Sequence, residues 1–544
     1  MHHGVLVALM ALCGVVLVAA GVSRVASAPA IAQQTSPLFC RFGYAPDLRS
    51  VSDYAPAVEG LRAGWYSLWN PQVNPPRPNG MQVVQIIGVK QWKWKNNQYV
   101  LVDAAAPYAT PYTYTVKPGL AAVQLAVLAN PGALWLIGNE IERRDFAVGD
   151  PPASTGQDEI LPEVYAWAYH DLYTFIKNLD PNAQLGIGGM IQATPLRLKY
   201  LERVWNEHIR LYGVPLPIDV WNIHAYAMPE WRHGAFPSDS WKTFGADIPA
   251  GLAEIEGLTF PDYETAVLAN KDFYRAVTYL RAFRQWMYDH GQQNKPLIVS
   301  ESGVNFPEWV GVTINGRTVY PFTAEGVRDS YLYPMFNFAQ NVTDTVLGYP
   351  ADGYRLTQRW IWYSLDADTG SWDNGVFYQY FGSNLFYSGL YGGKAMGITP
   401  LGAYWQSYVN NPISMPVTVD LRPVQVWTDP ATPVSDGLPV TMTVHVRVAN
   451  SGNLNGTQPF SVTLQSLDDN SVLGQPVINS LGGCGQMAVV TATWTNLSLG
   501  MHRLSVTVDS GNVIAEADKA NNSTQAWVLV GSYRTFLPML ARRN

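Results

Sequence analysis

Cysteine is nearly absent from this chain: three in 544 residues, at Cys13, Cys40 and Cys484. None has the spacing of a metal or redox motif, which removes structural zinc and thiol-exchange chemistry as organising principles. Cys13 lies in an apolar run without a lipobox, which argues against a lipoprotein. Cys40 falls in the first predicted strand and Cys484 in a C-terminal domain, so the two are expected not to pair. An excess of basic charge is missing too. With a net charge of −7 and no basic run, the chain offers no electrostatic surface for nucleic acid. No predicted strand is followed by a glycine-rich phosphate loop, which counts against nucleotide chemistry.

Apolar residues make up 47% of the sequence, enough for more than one core, and 544 residues suit two or three domains. Aromatics are abundant, with 19 Trp and 30 Tyr, a supply that fills cores and also suits a cleft stacking flat ligand faces. Residues 1–32 form an apolar run followed by small residues, ending at Ala30-Ile31-Ala32, and read as a secretory signal peptide. The rival reading is an uncleaved anchor, since Gly4 to Val22 approaches spanning length. Either reading places the body outside the cell, secreted or at the cell surface.

Residues 33–408 alternate short apolar strands with longer helical segments. Eight strands are predicted, at Phe39–Ala45, Gly64–Trp69, Gln82–Val89, Leu134–Asn139, Gln184–Met190, Asp219–His224, Leu297–Glu301 and Gln358–Leu365. Helices are predicted at Pro162–Leu179 and Asp272–His290, among others. The pattern fits a (β/α)8 TIM barrel, with a doubly wound open sheet as the fallback. Segments entering strands are short and polar. Those leaving them are long and aromatic, carrying Trp231, Trp241, Phe306, Trp309, Trp372 and Tyr378, as a barrel with its chemistry on one face requires. From 412 to 531 prolines accumulate and period-two alternation begins, as in Val440 to Val446, predicting an all-β, immunoglobulin-like sandwich. Residues 532–544 stand outside it as a tail, either a docking segment or a frayed strand end.

Two predicted strands end in a carboxylate. ALWLIGNEIERRD (Ala133–Asp145) runs four apolar residues into Gly138-Asn139-Glu140, and KPLIVSESG (Lys295–Gly303) ends its strand on Glu301. Carboxylates from strands four and seven of a barrel can face each other across the mouth, at the roughly 5–5.5 Å that direct nucleophilic attack requires. Each has an ordinary alternative: a helix N-terminal residue for Glu140, and a pairing with Arg359 or another barrel cation for Glu301. Glu142 is a nearby competitor but lies beyond the strand.

WLIGNE resembles the strand-four Asn-Glu signature of the retaining TIM-barrel glycoside hydrolases of clan A, and LIVSESG resembles their strand-seven segment. The nearest matches, IGNE and VSESG, lie in the Asl-like glycosidase branch, whose members include β-1,3-glucan-cleaving enzymes. The usual Asn-Glu-Pro is here Asn139-Glu140-Ile141, which leaves the substrate open. The resemblance implies Glu140 as general acid/base, Glu301 as nucleophile, and Asn139 bonding a sugar hydroxyl. From strand six, IDVWNIHAY, it implies His224 and Tyr226 near the sugar, the tyrosine hydroxyl touching the nucleophile. A buried, backbone-satisfied histidine is the alternative for His224. Trp362 is expected as a platform under the sugar, although Trp360 and Trp362 alternate alike and both could be packing. Trp65 and Trp309 are further expected contacts, with Tyr66 and Trp69 less defined.

The sandwich is similar to the bacterial cell-adhesion-related module, CARDB, through VHVRVANSGN and HRLSVTVDSGNVIAEADKANN. There Asp509, Glu516 and Asn521 are expected to cap turns, with calcium ligation as the alternative. The expected activity is extracellular hydrolysis of a β-linked polysaccharide or oligosaccharide, with no metal or organic cofactor, no nucleic acid partner, and a cell-surface or cell-wall association through the C-terminal module. A silent barrel serving recognition or adhesion is the competing expectation.

Overall fold

A computed structural model describes residues 38–532, except 102, 104–105, 145–146, 149–152, 155, 232–245, 253–262, 368–370, 374–375, 379–381, 389–395, 412–417 and 432. The expected signal segment (1–32), nearly all of the tail and the loop tryptophan Trp241 lie outside the described residues. No helix among the described residues is long and apolar enough to cross a membrane.

Eight parallel strands form one closed sheet: β1 (Phe39–Ala45), β2 (Ala63–Leu68), β3 (Gln82–Gln91), β4 (Leu134–Asn139), β5 (Gln184–Gly189), β6 (Trp221–His224), β7 (Leu297–Glu301) and β8 (Arg359–Tyr363). They are ordered β5-β4-β3-β2-β1-β8-β7-β6, and a parallel bridge from Gly186 to Val220 joins the two ends. This is a TIM barrel, and each predicted strand lies within two residues of its observed bounds at either end.

Period-two alternation divides the strand residues between two cores. Val84, Ile86, Leu134, Leu136, Val220, Ile298 and Ile361 fill the barrel interior with Trp65. Their neighbours, such as Trp135, Ile137, Trp221, Val299, Trp360 and Trp362, face the helical layer. Helix Pro162–Leu179 has its proline in the first turn, where the missing N–H costs nothing. Helix Pro195–Tyr212 stops at Gly213, whose φ of 73° lies in the left-handed region.

Six longer strands build the C-terminal domain: β9 (Leu421–Asp429), β10 (Val440–Asn450), β11 (Phe460–Ser466), β12 (Gln486–Leu497), β13 (Gly500–Val508) and β14 (Ser523–Ser532). β9, β10 and β12 make one sheet, and β14, β13 and β11 the core of the other. Inward residues such as Val444, Val446, Leu464, Trp494 and Val506 meet between them. Asp509 accepts from the Val513 and Ile514 amides, Glu516 from the Leu421 amide, and Asn521 donates to Asp420. These bonds hold turns, and the Lys519 ammonium lies 3.0 Å from Asp509 and 3.3 Å from Glu516, a cation supplied by the chain itself.

The sandwich docks on the barrel face formed by the strand beginnings. Leu38 N–H donates to Asn453 O at 2.8 Å, Gln82 Nε2 to Cys484 O at 3.0 Å, and Arg447 to Asn182 in the turn before β5. Here the expectation about cysteine is overturned: Cys40 and Cys484 form a disulfide across 444 residues of sequence. Their proximity arises from domain docking, which local spacing does not encode. A Cβ on Gly64 would stand 2.8 Å from the Cys40 Cα and 3.2 Å from the Cys484 sulfur, so glycine there makes room for the bridge. Cys484→Ser is expected to lower stability by about 2–4 kcal/mol, read by calorimetry against the unreduced protein; identical unfolding of the two would show that the bridge does not form.

Candidate active site

The predicted carboxylates and histidine gather at the strand ends on the opposite face. β4 finishes in a sharp turn, with φ of 96° at Gly138 and 46° at Glu140. A Cβ on Gly138 would come within 2.4 Å of Ile141 Cγ2, so only glycine fits. Glu140 is not a glycine, and its left-handed backbone is a conformation that surrounding bonds must hold. Glu140 N–H donates to Gly189 O at 2.9 Å. The Asp158 carboxylate accepts from Asn139 N–H at 2.8 Å and from Val89 N–H at 3.0 Å, tying the turn to β3.

Turned inward by this geometry, the Glu140 carboxyl is 3% exposed as a residue and meets three partners. Its Oε2 accepts from Arg143 Nη1 at 2.8 Å and from Gln157 Nε2 at 3.1 Å. Its Oε1 lies 3.5 Å from His224 Nδ1, and the same nitrogen lies 2.8 Å from Glu301 Oε2. One donor atom from each of Glu140, His224 and Glu301 falls within 4.8 Å of the other two. Strands four, six and seven thus bring the two predicted carboxylates and the predicted histidine to one point.

Burial pushes the Glu140 carboxyl up, but the Arg143 guanidinium and then His224 outweigh it and hold the group well below the usual carboxylate range. Burial alone would lower His224, yet the Glu301 and Glu140 carboxylates raise it to about 10. Two buried carboxylates are therefore balanced by an imidazolium and a guanidinium. By donor type, one histidine and two carboxylates could ligate a divalent metal. Here a metal would have to displace the proton from His224 and compete with Arg143 for Glu140.

The remaining predicted residues fall into two groups. Asn139 lies at the mouth, its Nδ2 donating to Gly156 O at 3.3 Å, with its Oδ1 buried and without a hydrogen-bond partner among the described residues. Tyr226 is buried against Ile191 and Met228; burial and then the Glu301 charge raise its phenol, but no hydrogen bond joins it to Glu301 among the described residues. Trp309 is half-buried on the loop after β7, packed against the outer core.

Two expectations are corrected. Trp362 is fully buried in the outer core, its Nε1 bonded to Ser383 O at 2.6 Å and its ring edge-on to Tyr331, so it is packing and presents no platform. Trp65 lies inside the barrel near the strand beginnings, with the Arg359 guanidinium 4.1 Å from its ring, remote from the mouth. That contact also removes Arg359 as a partner for Glu301. Glu142 is equally settled as structural: fully buried, it accepts from Arg197 Nη1 at 2.6 Å and Ile191 N–H at 3.0 Å, and Arg197 also binds Glu230. This network joins the loops that follow β4, β5 and β6.

The sequence reading missed four contributors. Arg143 stands in the ERRD segment, and the sequence reading gives it no role. Gly189 sits under His224: a Cβ there would come within 2.3 Å of the imidazole, so glycine is needed for the ring's position. Tyr363, one residue past Trp362 and on the opposite side of the strand, bonds Asp47 Oδ2 at 3.2 Å and packs edge-on to Trp69. Asp47, raised to about 6 by burial and then by Asp366, lines a cleft of about 240 Å³ with Arg49, Tyr66, Trp69 and Gln72.

Fold and site together define an eight-stranded barrel with a carboxylate pair at the ends of its fourth and seventh strands. Residues 419–526 match the CARDB family model, so the sandwich is a CARDB domain. No curated relative matches the chain. Among solved structures, a GH128 endo-β-1,3-glucanase from Sorangium cellulosum is 14% identical, covering 68% of this chain and 98% of its own, with a TM-score of 0.34. A β-glucuronidase from Bacteroides uniformis is 12% identical over 90% of this chain and 45% of its own, with a TM-score of 0.34. The CARDB domain of a Pyrococcus furiosus protein, solved with di-metal ions, is 24% identical over 22% of this chain and 97% of its own, with a TM-score of 0.18.

The raised His224 pKa has a definite sign. Its pairing stabilises the fold fully below the ordinary histidine value of 6.5, and the contribution is lost as pH rises through about 10. Glu140 has the opposite sense: stabilisation is present above its ordinary 4.5 and lost as pH falls through its depressed folded value. In a nitrogen-resolved NMR titration His224 is expected to keep both ring protons through pH 8; a neutral ring at pH 7.5 would refute the ion triad. Gly189→Ala is expected to lose about 1–3 kcal/mol and to move the His224 resonance.

Proposed function

We propose that this protein is a retaining glycoside hydrolase acting on a β-linked polysaccharide or oligosaccharide. One observation carries the reading: carboxylate oxygens of Glu140 and Glu301 lie within 4.8 Å of each other. That spacing suits direct attack on the sugar, whereas inverting enzymes hold their carboxylates roughly 6.5–9.5 Å apart to admit a water. In this reading Glu301 attacks the anomeric carbon while Glu140 protonates the leaving oxygen; Glu140 then takes a proton from the water that releases the sugar. His224 fixes the Glu301 carboxylate, Asn139 Oδ1 accepts from a hydroxyl beside the scissile bond, and Tyr226 lines the wall near the nucleophile. The half-buried Trp69, beside Asp47 and Tyr363, takes the aromatic role expected of Trp362.

An extracellular site of action is supported by the Cys40–Cys484 bridge, since such bonds persist in oxidising compartments. The CARDB domain fits the same location. The Arg143–Glu140 ion pair favours a second reading, a barrel that binds glycan without cutting it. A panel of β-linked glucans, scored both for binding and for new reducing ends, separates the two, because binding without new ends supports recognition alone.

Glu301→Gln is expected to abolish turnover, and Glu140→Gln to reduce it by about 10²–10⁴-fold, each with an unchanged circular dichroism spectrum. Proton NMR of the first product formed should show the anomeric configuration of the substrate. The opposite anomer, or wild-type rates in either variant, would overturn the assignment.

A further inference from the structure

The acid assigned above is held in the wrong state by its neighbour. Arg143 N–H donates to Glu140 O at 3.0 Å, closing a tight turn, and the side chain comes back to Glu140 Oε2 at 2.8 Å. The charged groups facing that carboxyl are Arg143 from its own loop, His224 from β6 and Glu301 from β7. The phenols of Tyr226 and Tyr363 approach from the β6 and β8 ends. Glu142, two residues on, is turned away to Arg197, and Gln157, the other partner of Oε2, is neutral. Arg143 and His224, set against the two carboxylates, keep Glu140 ionised. An ionised carboxylate has no proton to give to a leaving group.

Something must therefore separate Arg143 from Glu140 before the bond breaks. A guanidinium keeps its charge at any working pH; the Glu142 and Glu301 charges also act on Arg143, yet taking it from the carboxylate it is bonded to in an enclosed site is unfavourable unless another anion offers it hydrogen bonds. Neutral sugar hydroxyls are weak replacements. A carboxylate or a sulfate ester matches the guanidinium fork with two parallel charge-assisted bonds. Arg143 is also placed to meet such a group: its side chain is 11% exposed, and it stands beside the residue that faces the leaving oxygen. We propose that Arg143 is a latch on Glu140, released when an anionic sugar on the leaving-group side of the scissile bond, bearing a carboxylate or a sulfate ester, enters the mouth and takes the guanidinium.

The inference rests on the hydrolase reading. With Arg143 drawn off, Glu140 takes a proton from solvent and passes it to the glycosidic oxygen as the C–O bond breaks and Glu301 bonds to the anomeric carbon. Glu140, again a carboxylate, then removes a proton from the attacking water, and the Glu301 ester bond is cleaved. Protons and bonds balance with water as the only co-reactant.

The test uses the full chain and a panel of β-linked glucan oligosaccharides, each in neutral, C6-oxidised and C6-sulfated forms. Wild-type kcat/KM is expected to be at least about tenfold higher on one or both anionic forms than on the neutral one, the two anionic arms telling carboxylate from sulfate. Arg143→Gln should lose that preference. On neutral substrate the alkaline limb of its kcat/KM profile should move up by about one pH unit, because the free-enzyme acid is no longer depressed. Equal wild-type rates on neutral and anionic forms, or an unmoved limb in Arg143→Gln, would overturn the latch while leaving the hydrolase reading intact. No cleavage of any form by the wild type would overturn both.

Discussion

Two carboxylates placed within one sugar's width of each other repel, and this mouth holds them because an imidazolium stands between them. His224 Nδ1 is 2.8 Å from one and 3.5 Å from the other, a position in which a single positive charge attracts both carboxylates. The rest of the site follows from keeping that ring there. Gly189 leaves the space below it, and the inverted turn at Gly138 and Glu140 swings the strand-four acid toward it. A barrel supplies these parts from separate strands, so no single loop movement can dissolve the arrangement.

The buried charges form two systems with different duties. Around Glu140 the enclosure is less complete, since the Arg143 side chain is 11% exposed. Two residues later the Glu142–Arg197–Glu230 network is fully enclosed and ties three loops together. Separating a pair of that kind leaves an uncompensated buried charge, so such a network fixes geometry. Glu140 and Glu142 thus lie within three residues of each other, both buried, and differ in their partners, Arg143 for one and Arg197 for the other.

Much of this was legible before any coordinates. Strand positions followed from short apolar runs bounded by turn residues, and the two catalytic candidates from their place at strand ends. The expectations that the structure overturns share one cause: each depended on three-dimensional direction. Trp362 and Tyr363 are adjacent, and a strand sends them to opposite faces; aromatic content alone favoured the wrong one. Trp65 sits on a strand in the right part of the chain but near its beginning, whereas the mouth is at strand ends. The Cys40–Cys484 bridge depends on docking between domains, and Arg143 acquires meaning only once the turn after β4 folds it back on its own neighbour.

The docking surface has one more implication. The sandwich holds the barrel by the beginnings of β1 and β3 and the turn before β5, while the carboxylates lie at the strand ends. Strands of five or six residues put about 16–20 Å of packed protein between those faces. Whatever the C-terminal domain contacts is therefore kept a barrel's height from the carboxylate pair, facing the other way.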